Sequence, residues 1–285
     1  MTVAVETLSS VPATAPLLAR AALTARGRRG SEVPERTLRV EDVRVDRARL
    51  AAYQRLTGYD VSDLLPQPYP WVLAFPVQTA LMARPDFPVP LPGMVHLENR
   101  VTTHRALDAA QPLTLEVTAG ALQPHRRGRT LDVRLEARVD DELVWECDSV
   151  YLSRGRGTED ASRGEAPPAL PEGPVAGVWR LPERLGREYA GVSGDVNPIH
   201  LHPLAARAMG FPRHIAHGMW TYARTLAALG RGSLGPSSSR VWFPKPVFLP
   251  STVELVVERS GRHVLAGLRS RKDPSTTHVV VTLDD

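Results

Sequence analysis

Two stretches of the chain are apolar on nearly every side. Trp71–Met82 (WVLAFPVQTALM) has no charged residue, and its hydrophobic positions run round the whole circumference of a helix. Such a helix has to be buried on all faces, with Pro76 bending it or deferring its start. Ala216–Leu229 reads as a second apolar helix, carrying Met219, Trp220, Tyr222, Leu226 and Leu229. Each is followed by four strand-like runs: Met94–Val101, Pro112–Leu122, Thr130–Val139 and Leu143–Leu152 after the first, and Arg240–Leu249, Thr252–Ser260, His263–Arg271 and Thr277–Leu283 after the second. Asp140-Asp141-Glu142 fits a short hairpin turn.

The segments ahead of the two helices also correspond. Thr37–Val45 predicts a strand, and Asp46 caps a helix Arg47–Leu56 that Thr57-Gly58 closes. Leu181–Tyr189 predicts a helix, and Ala205–Gly210 a short one. Tyr53-x-x-Leu56-Thr57-Gly58 aligns with Tyr189-x-x-Val192-Ser193-Gly194, and Pro112–Val117 (PLTLEV) with Ser251–Val256 (STVELV). A period of about half the chain implies a duplicated unit. One buried helix per antiparallel sheet is an α+β arrangement, the sheet wrapping the helix with one face and meeting water with the other. Residues 1–34 read as a mobile arm or loosely docked strap, 35–153 as the first unit, 154–176 as a linker, and 177–285 as the second unit.

At 285 residues, with 42% hydrophobic and 23% charged positions, the composition is that of an ordinary globular protein. No uninterrupted apolar run reaches membrane-spanning length. The first basic residue, Arg20, follows the apolar N-terminal stretch rather than preceding it, so a signal-peptide layout is lacking. The single cysteine, Cys147, cannot form an internal disulfide. These features lead us to expect a cytoplasmic protein. Net charge is +4 with pI near 9.6, yet no Lys/Arg run with interleaved aromatics appears, so nucleic acid is not an expected partner. His125–Arg129 (HRRGR) is the densest basic cluster. It suits a solvated hairpin turn, or a landing site for phosphate.

Candidate chemistry gathers in Tyr189–His200 (YAGVSGDVNPIH) and the subsequent His217-Gly218-Met219. Asp195 and His200 are five positions apart. Asn197-Pro198 is expected to keep the backbone off any regular helix, and Ser193-Gly194 adds a turn signal. A carboxylate and an imidazole at the two ends of a rigid bend suit proton transfer near neutral pH. Either residue alone fits a surface turn or a core histidine as well. His200, His202, His214 and His217 with Asp195 raise the question of zinc, but their spacings match no common closed site, so no metal is expected.

The whole string resembles the signature Y-x-x-[VL]-S-G-D-x-N-P-[LIV]-H, then H-G-M, of the MaoC-like (R)-specific enoyl-thioester hydratases and 3-hydroxyacyl-thioester dehydratases. The resemblance implies a double hotdog: two antiparallel sheets, each wrapped on a central helix and joined into one, a pseudo-dimer within one chain that leaves open a further homodimer. It implies that Asp195 and His200 form the acid/base pair and that Gly218 offers its backbone N–H to the thioester carbonyl, with glycine letting substrate approach. Asn197, Ser193, His217, Phe243 and Lys245 are the expected substrate-side residues: Asn197, Ser193 and His217 chiefly hold the loop, and Phe243–Pro250 overhangs the pocket mouth. Family members carry an orienting serine later on the buried helix; here Thr225 is the candidate substitute. The first half departs from the pattern, with Tyr59 in place of the aspartate and no N-P-x-H. By the resemblance it widens an acyl tunnel, with Pro88, Pro90, Leu91, Pro92 and the helix Trp71–Met82 as candidate walls. The implied substrate is an acyl-CoA or acyl-ACP thioester, so coenzyme A or phosphopantetheine is a carrier and no resident cofactor is needed; an acyl carrier protein is a candidate partner. Hotdog thioesterase and non-catalytic acyl-thioester binder are the competing functions.

Overall fold

The computed structural model describes residues 4–25, 28, 30–161 and 164–284. In chain order the elements are β1 (Ala4–Leu8), α1 (Thr14–Leu23), β2 (Arg36–Val43), α2 (Arg47–Thr57), α3 (Tyr69–Met82), β3 (Val95–Thr103), β4 (Leu113–Ala119), β5 (Gln123–His125), β6 (Gly128–Val139) and β7 (Glu142–Arg154) in the first half. The second half carries β8 (Val175–Leu181), α4 (Leu185–Ser193), α5 (Pro198–Leu201), α6 (Pro203–Ala208), α7 (Gly218–Leu229), β9 (Ser237–Trp242), β10 (Ser251–Ser260), β11 (His263–Ser270) and β12 (Thr277–Asp284).

All the described strands lie in one sheet. Its order is β1-β2-β4-β6-β7-β3-β9-β12-β11-β10-β8, with β5 paired to β6. Outward from the central β3–β9 pair the two halves read alike: β3, β7, β6, β4, β2 on one side and β9, β12, β11, β10, β8 on the other. That central pair is antiparallel, from Glu98 opposite Trp242 to Thr103 opposite Ser237. The molecule is therefore a double hotdog whose two sheets are continuous. β4 shows the expected alternation, every second side chain buried from Leu113 to Ala119. The buried faces close on α3, which is buried from Tyr69 through Ala74 with no polar face, and on α7. Each large apolar side chain so buried stabilises the fold by about 1.5–3 kcal/mol.

α2 starts where Asp46 predicts. The Asp46 carboxylate accepts from the Ala48 and Arg49 amides at 2.9 and 3.1 Å, and Gly58 ends the helix in the left-handed region at φ 85°. α3 runs through Pro76, which does not defer its start.

Several expectations are corrected. The N-terminal segment, expected as a mobile arm or a loosely docked strap, is docked and carries a strand and a helix. β1 pairs in parallel with β2, Arg84 holds Glu6 at 3.0 Å, and Arg28 donates to the last carbonyls of α3, Met82 O and Ala83 O, at 3.1 and 3.0 Å. Orphan C-terminal carbonyls attract such a cation. The run Arg240–Leu249 is strand only to Trp242; three prolines, at 244, 246 and 250, deny it ladder donors. The linker is followed by β8, the counterpart of β2, so the second helix begins at Leu185 rather than at Leu181. The break expected at Asn197-Pro198 is instead a helix start: Pro198 opens α5 and Asn197 caps it, because proline suits the first helical position.

Candidate active site

The loop from Ser193 to Ile199 is held by its own side chains, each bonding to the backbone two residues on. Ser193 Oγ accepts from the Asp195 amide at 3.2 Å, Asp195 Oδ1 from the Asn197 amide at 3.1 Å, and Asn197 Oδ1 from the Ile199 amide at 3.4 Å. Three successive side-chain turns thus lead from the end of α4, where Gly194 has φ 76°, into α5. The chain path aims Asp195 and His200 at one place. A side-chain donor atom from each of Asp195, His200 and His217 lies within 4.8 Å of the others.

The hydrogen bonds decide which atoms are free. His200 Nδ1 lies 2.9 Å from the Ile215 carbonyl, which only accepts, so Nδ1 carries the proton and Nε2 presents a lone pair. His217 Nε2 donates in the same way to the Asp195 backbone carbonyl at 3.0 Å. The rings of His200 and His217 stack at 3.7 Å, and Tyr189 packs on His217 at 4.9 Å. His217 therefore holds the Asp195 backbone and braces His200. Two imidazoles and one carboxylate make three ligands, one short of a closed tetrahedral site.

Burial dominates the electrostatics. It raises the Asp195 carboxyl above its ordinary range, against the opposing pull of His200 and of the Asn197 amide. It lowers His200, against the attraction of Asp195, and holds His217 well below its usual value, with the neighbouring His200 pushing the same way. Both shifts act in one sense, each toward the neutral form of its group.

Gly218 is the first residue of α7, with His217 before it in extended backbone. Among the described residues no acceptor meets the Gly218 N–H, and it stands where the helix dipole is positive. The reason for glycine differs from the expected one. A Cβ here would meet the Phe243 ring at 3.0 Å, so the space is taken by that ring and not left for substrate. Phe243 is fixed in turn by its amide bonding to Leu97 O at 2.9 Å.

These groups open into a cavity of about 820 Å³. Asp195, Asn197, His200, His217, Gly218, Phe243 and Lys245 line it. Ser193 does not; it is fully buried, and its hydroxyl is used by the Asp195 amide, which corrects its place among substrate contacts. Thr225 is also away from the cavity, bonded to Thr221 O at 2.8 Å. Thr221, one turn nearer Gly218, lines it instead. Of the expected tunnel walls, Leu91, Pro92 and the α3 side chains Trp71, Phe75 and Met82 face the cavity. Pro88 and Pro90 do not. The basic hairpin reaches the rim through Arg127, beside Arg154.

Sequence reasoning missed three features of the lining. Ala15, Leu18, Ala19 and Ala22, one face of α1, close part of the cavity; their i, i+3, i+4, i+7 spacing was the available signal. His96 enters because a bulge between His96 and Glu98 interrupts the pairing of β3 with β7, and such bulges re-aim side chains. Tyr151 brings a polar group into the first half's wall, facing Gln78 of the expected helix wall. Nothing in the local sequence of Tyr151 marks it.

The arrangement is that of a double-hotdog protein with one acid/base site. The MaoC-like domain matches residues 165–280. The 3-hydroxyacyl-thioester dehydratase X of Mycobacterium tuberculosis is 36% identical over 232 residues, 80% of this chain and 82% of that protein. The crystal structure of HtdX from the same organism aligns with a TM-score of 0.77 at 33% identity, over 87% of this chain and 99% of that one. The (R)-specific enoyl-CoA hydratase of Aeromonas caviae is 36% identical over 92 residues, 28% of this chain and 65% of that enzyme. The chain belongs to the MaoC-like dehydratase family.

Proposed function

We propose that the protein is a hydro-lyase that interconverts (R)-3-hydroxyacyl thioesters and 2-enoyl thioesters in fatty-acid or related acyl metabolism. The observation that carries this is the meeting of Asp195, His200 and the unpaired Gly218 N–H at one end of a cavity whose other walls are largely apolar. In the hydration direction, His200 Nε2 takes a proton from water as the hydroxyl oxygen bonds to the β-carbon. The electron pair displaced from the double bond moves toward the thioester oxygen, where the Gly218 N–H stabilises the enolate. Asp195 then gives its proton to the α-carbon from the same side. The imidazolium returns the water's proton to the Asp195 carboxylate, and the site is reset. Dehydration is the reverse.

This division of labour follows the direction of the two shifts, each toward the neutral form of its group. It makes kcat/KM bell-shaped in pH: activity falls on the alkaline side as Asp195 ionises and on the acid side as His200 is protonated. Because the groups are coupled, both limbs belong to the pair. The opposite division, carboxylate as base and imidazolium as acid, requires the alkaline limb to track His200 and to persist in Asp195→Asn.

The thioester handle arrives on coenzyme A or on phosphopantetheine of an acyl carrier protein. Arg127, Arg154 and Lys245 at the rim suit its phosphates. No resident cofactor has a role in these steps. No helix among the described residues is long and apolar enough to cross a membrane. Cys147 is buried as a free thiol, and a cytoplasmic setting suits it.

The test monitors two signals on crotonyl-CoA at once. Loss of enoyl absorbance without release of free thiol is the expected result. Thiol release makes the protein a thioesterase, and binding without either signal makes it a non-catalytic acyl-thioester binder.

A further inference from the structure

The wall of the cavity contributed by the first half is largely apolar, and one buried polar pair in it is incompletely bonded. Gln78 on α3 and Tyr151 on β7 face each other there, 2% and 7% exposed, and both line the cavity. Gln78 Nε2 donates to Tyr151 Oη at 2.7 Å. Gln78 Oε1 is buried with no partner, while Ser149 also bonds the Tyr151 hydroxyl. The amide carries two N–H groups and Tyr151 takes only one, so Gln78 has one donor and one acceptor left over.

Other polar groups on this side of the cavity are spoken for. Thr79 Oγ1 donates to Phe75 O at 2.8 Å, and His96 Nε2 meets Asn99 Oδ1 at 2.6 Å. The pair also stands at a defined remove from the chemistry. The Tyr151 ring stacks on His96 at 4.6 Å, and His96 lies 5.2 Å from Phe243, whose ring covers Gly218. The pair is thus reached by the acyl chain past its reacting carbons, and the thioester stays at Gly218.

A saturated chain lying over this spot leaves a buried acceptor unsatisfied, which costs far more than an apolar wall would. An alcohol both gives and accepts one hydrogen bond, which matches what the pair has left. Resting on the hydratase reading above, we propose that Gln78 and Tyr151 form a subsite for a hydroxyl group on the acyl chain, several carbons beyond the double bond. The enzyme then selects hydroxylated acyl thioesters over plain fatty-acyl ones.

The test uses 2-enoyl-CoA substrates of one chain length, with a single hydroxyl walked along successive carbons, against the unsubstituted chain. The expected result is one position at which kcat/KM exceeds that of the plain chain by about tenfold or more, the scale of one net hydrogen bond. In Gln78→Leu, and separately in Tyr151→Phe, that ratio falls to about one. Because the ratio compares two substrates on the same enzyme, partial loss of folded protein cancels. The same comparison by calorimetry on the saturated acyl-CoAs does not need turnover, so selective binding without hydration rejects the hydratase reading while upholding the subsite. A wild-type ratio of one or less at every position overturns the proposal, with resident water or plain packing accounting for the pair. A ratio that survives both substitutions overturns it too.

Discussion

Gly58 ends α2 at φ 85° and Gly194 ends α4 at φ 76°, at matching places in the two halves. Beyond these two glycines the halves diverge. After Gly58 comes Tyr59, buried, its hydroxyl 3.1 Å from Ser233 Oγ. After Gly194 comes Asp195, then the run of side-chain turns that delivers His200. The next long helices differ too. α7 opens with Gly218 and an unbonded N–H. α3 opens with Tyr69, whose N–H bonds Pro66 O at 2.7 Å, and then Pro70, which has none. The first half therefore lacks counterparts of Asp195, His200 and the free Gly218 N–H, while keeping the apolar frame that wraps its helix. Frame and chemistry are separable: the frame depends on buried area spread over many residues, the chemistry on three groups and the turns that hold them.

The largest expected effect comes from breaking the second half. Asp195→Asn and His200→Ala should each lower kcat/KM on crotonyl-CoA by about 10³-fold, within the range for general acid–base catalysis. Thermal unfolding should show both variants folded. Adding Tyr59→Asp to Asp195→Asn should recover nothing, since no base or free amide awaits it; recovered turnover means the first half keeps a usable site.

Gly218→Ala sharpens the comparison at the helix start. Its methyl meets the Phe243 ring at 3.0 Å, so the ring or the helix must shift. Rate should fall by about 10- to 100-fold, mostly in kcat, because the carbonyl donor is displaced. Phe243→Ala in the same chain should restore part of it. Equal losses in the two backgrounds would mean the ring is not what forbids a side chain.

A smaller effect tests the first half's role as a wall. Ala19→Phe on α1 fills space beside Met82 and Leu91 and should lower kcat/KM for long-chain enoyl-CoA about tenfold more than for the four-carbon substrate. A uniform change across chain lengths means that α1 does not bound the acyl site.

The smallest is a stability effect. The folded state raises the Asp195 pKa, so the unfolded chain ionises first as pH rises. Stability is lost from about pH 4, the ordinary carboxylate range, up through the raised folded value, and is constant above it. Asp195→Asn should therefore melt about 3 °C higher than wild type at neutral pH, and the difference should vanish below the unfolded carboxylate range. A difference independent of pH rejects burial as its cause.

Much of this was legible in the residues. Period-2 runs located most strands, Asp46 and Gly58 bracketed α2, and the aligned tyrosines at 53 and 189 exposed the duplication. Both Asp195 and His200 were readable because one continuous loop carries them. β8 was missed because Val175–Leu181 is mostly exposed, a glycine and an arginine interrupting its apolar residues, so it lacks the alternation of a half-buried strand. Whether the N-terminal segment docks was left open because the cavity-facing side of α1 is mostly alanine, too weak a hydrophobic signal to distinguish docking from mobility. His96 and Tyr151 reach the cavity through a bulge and through packing between distant segments, which no local pattern encodes.

The claim at the centre is that Asp195 and His200 act as one proton-exchanging unit. It is tested most directly by measuring kcat for crotonyl-CoA hydration in Asp195→Asn, in His200→Ala and in the double variant. Groups that work as a unit predict that the double variant loses no more than the worse single one. Losses that multiply, or a single variant with wild-type turnover, would contradict it.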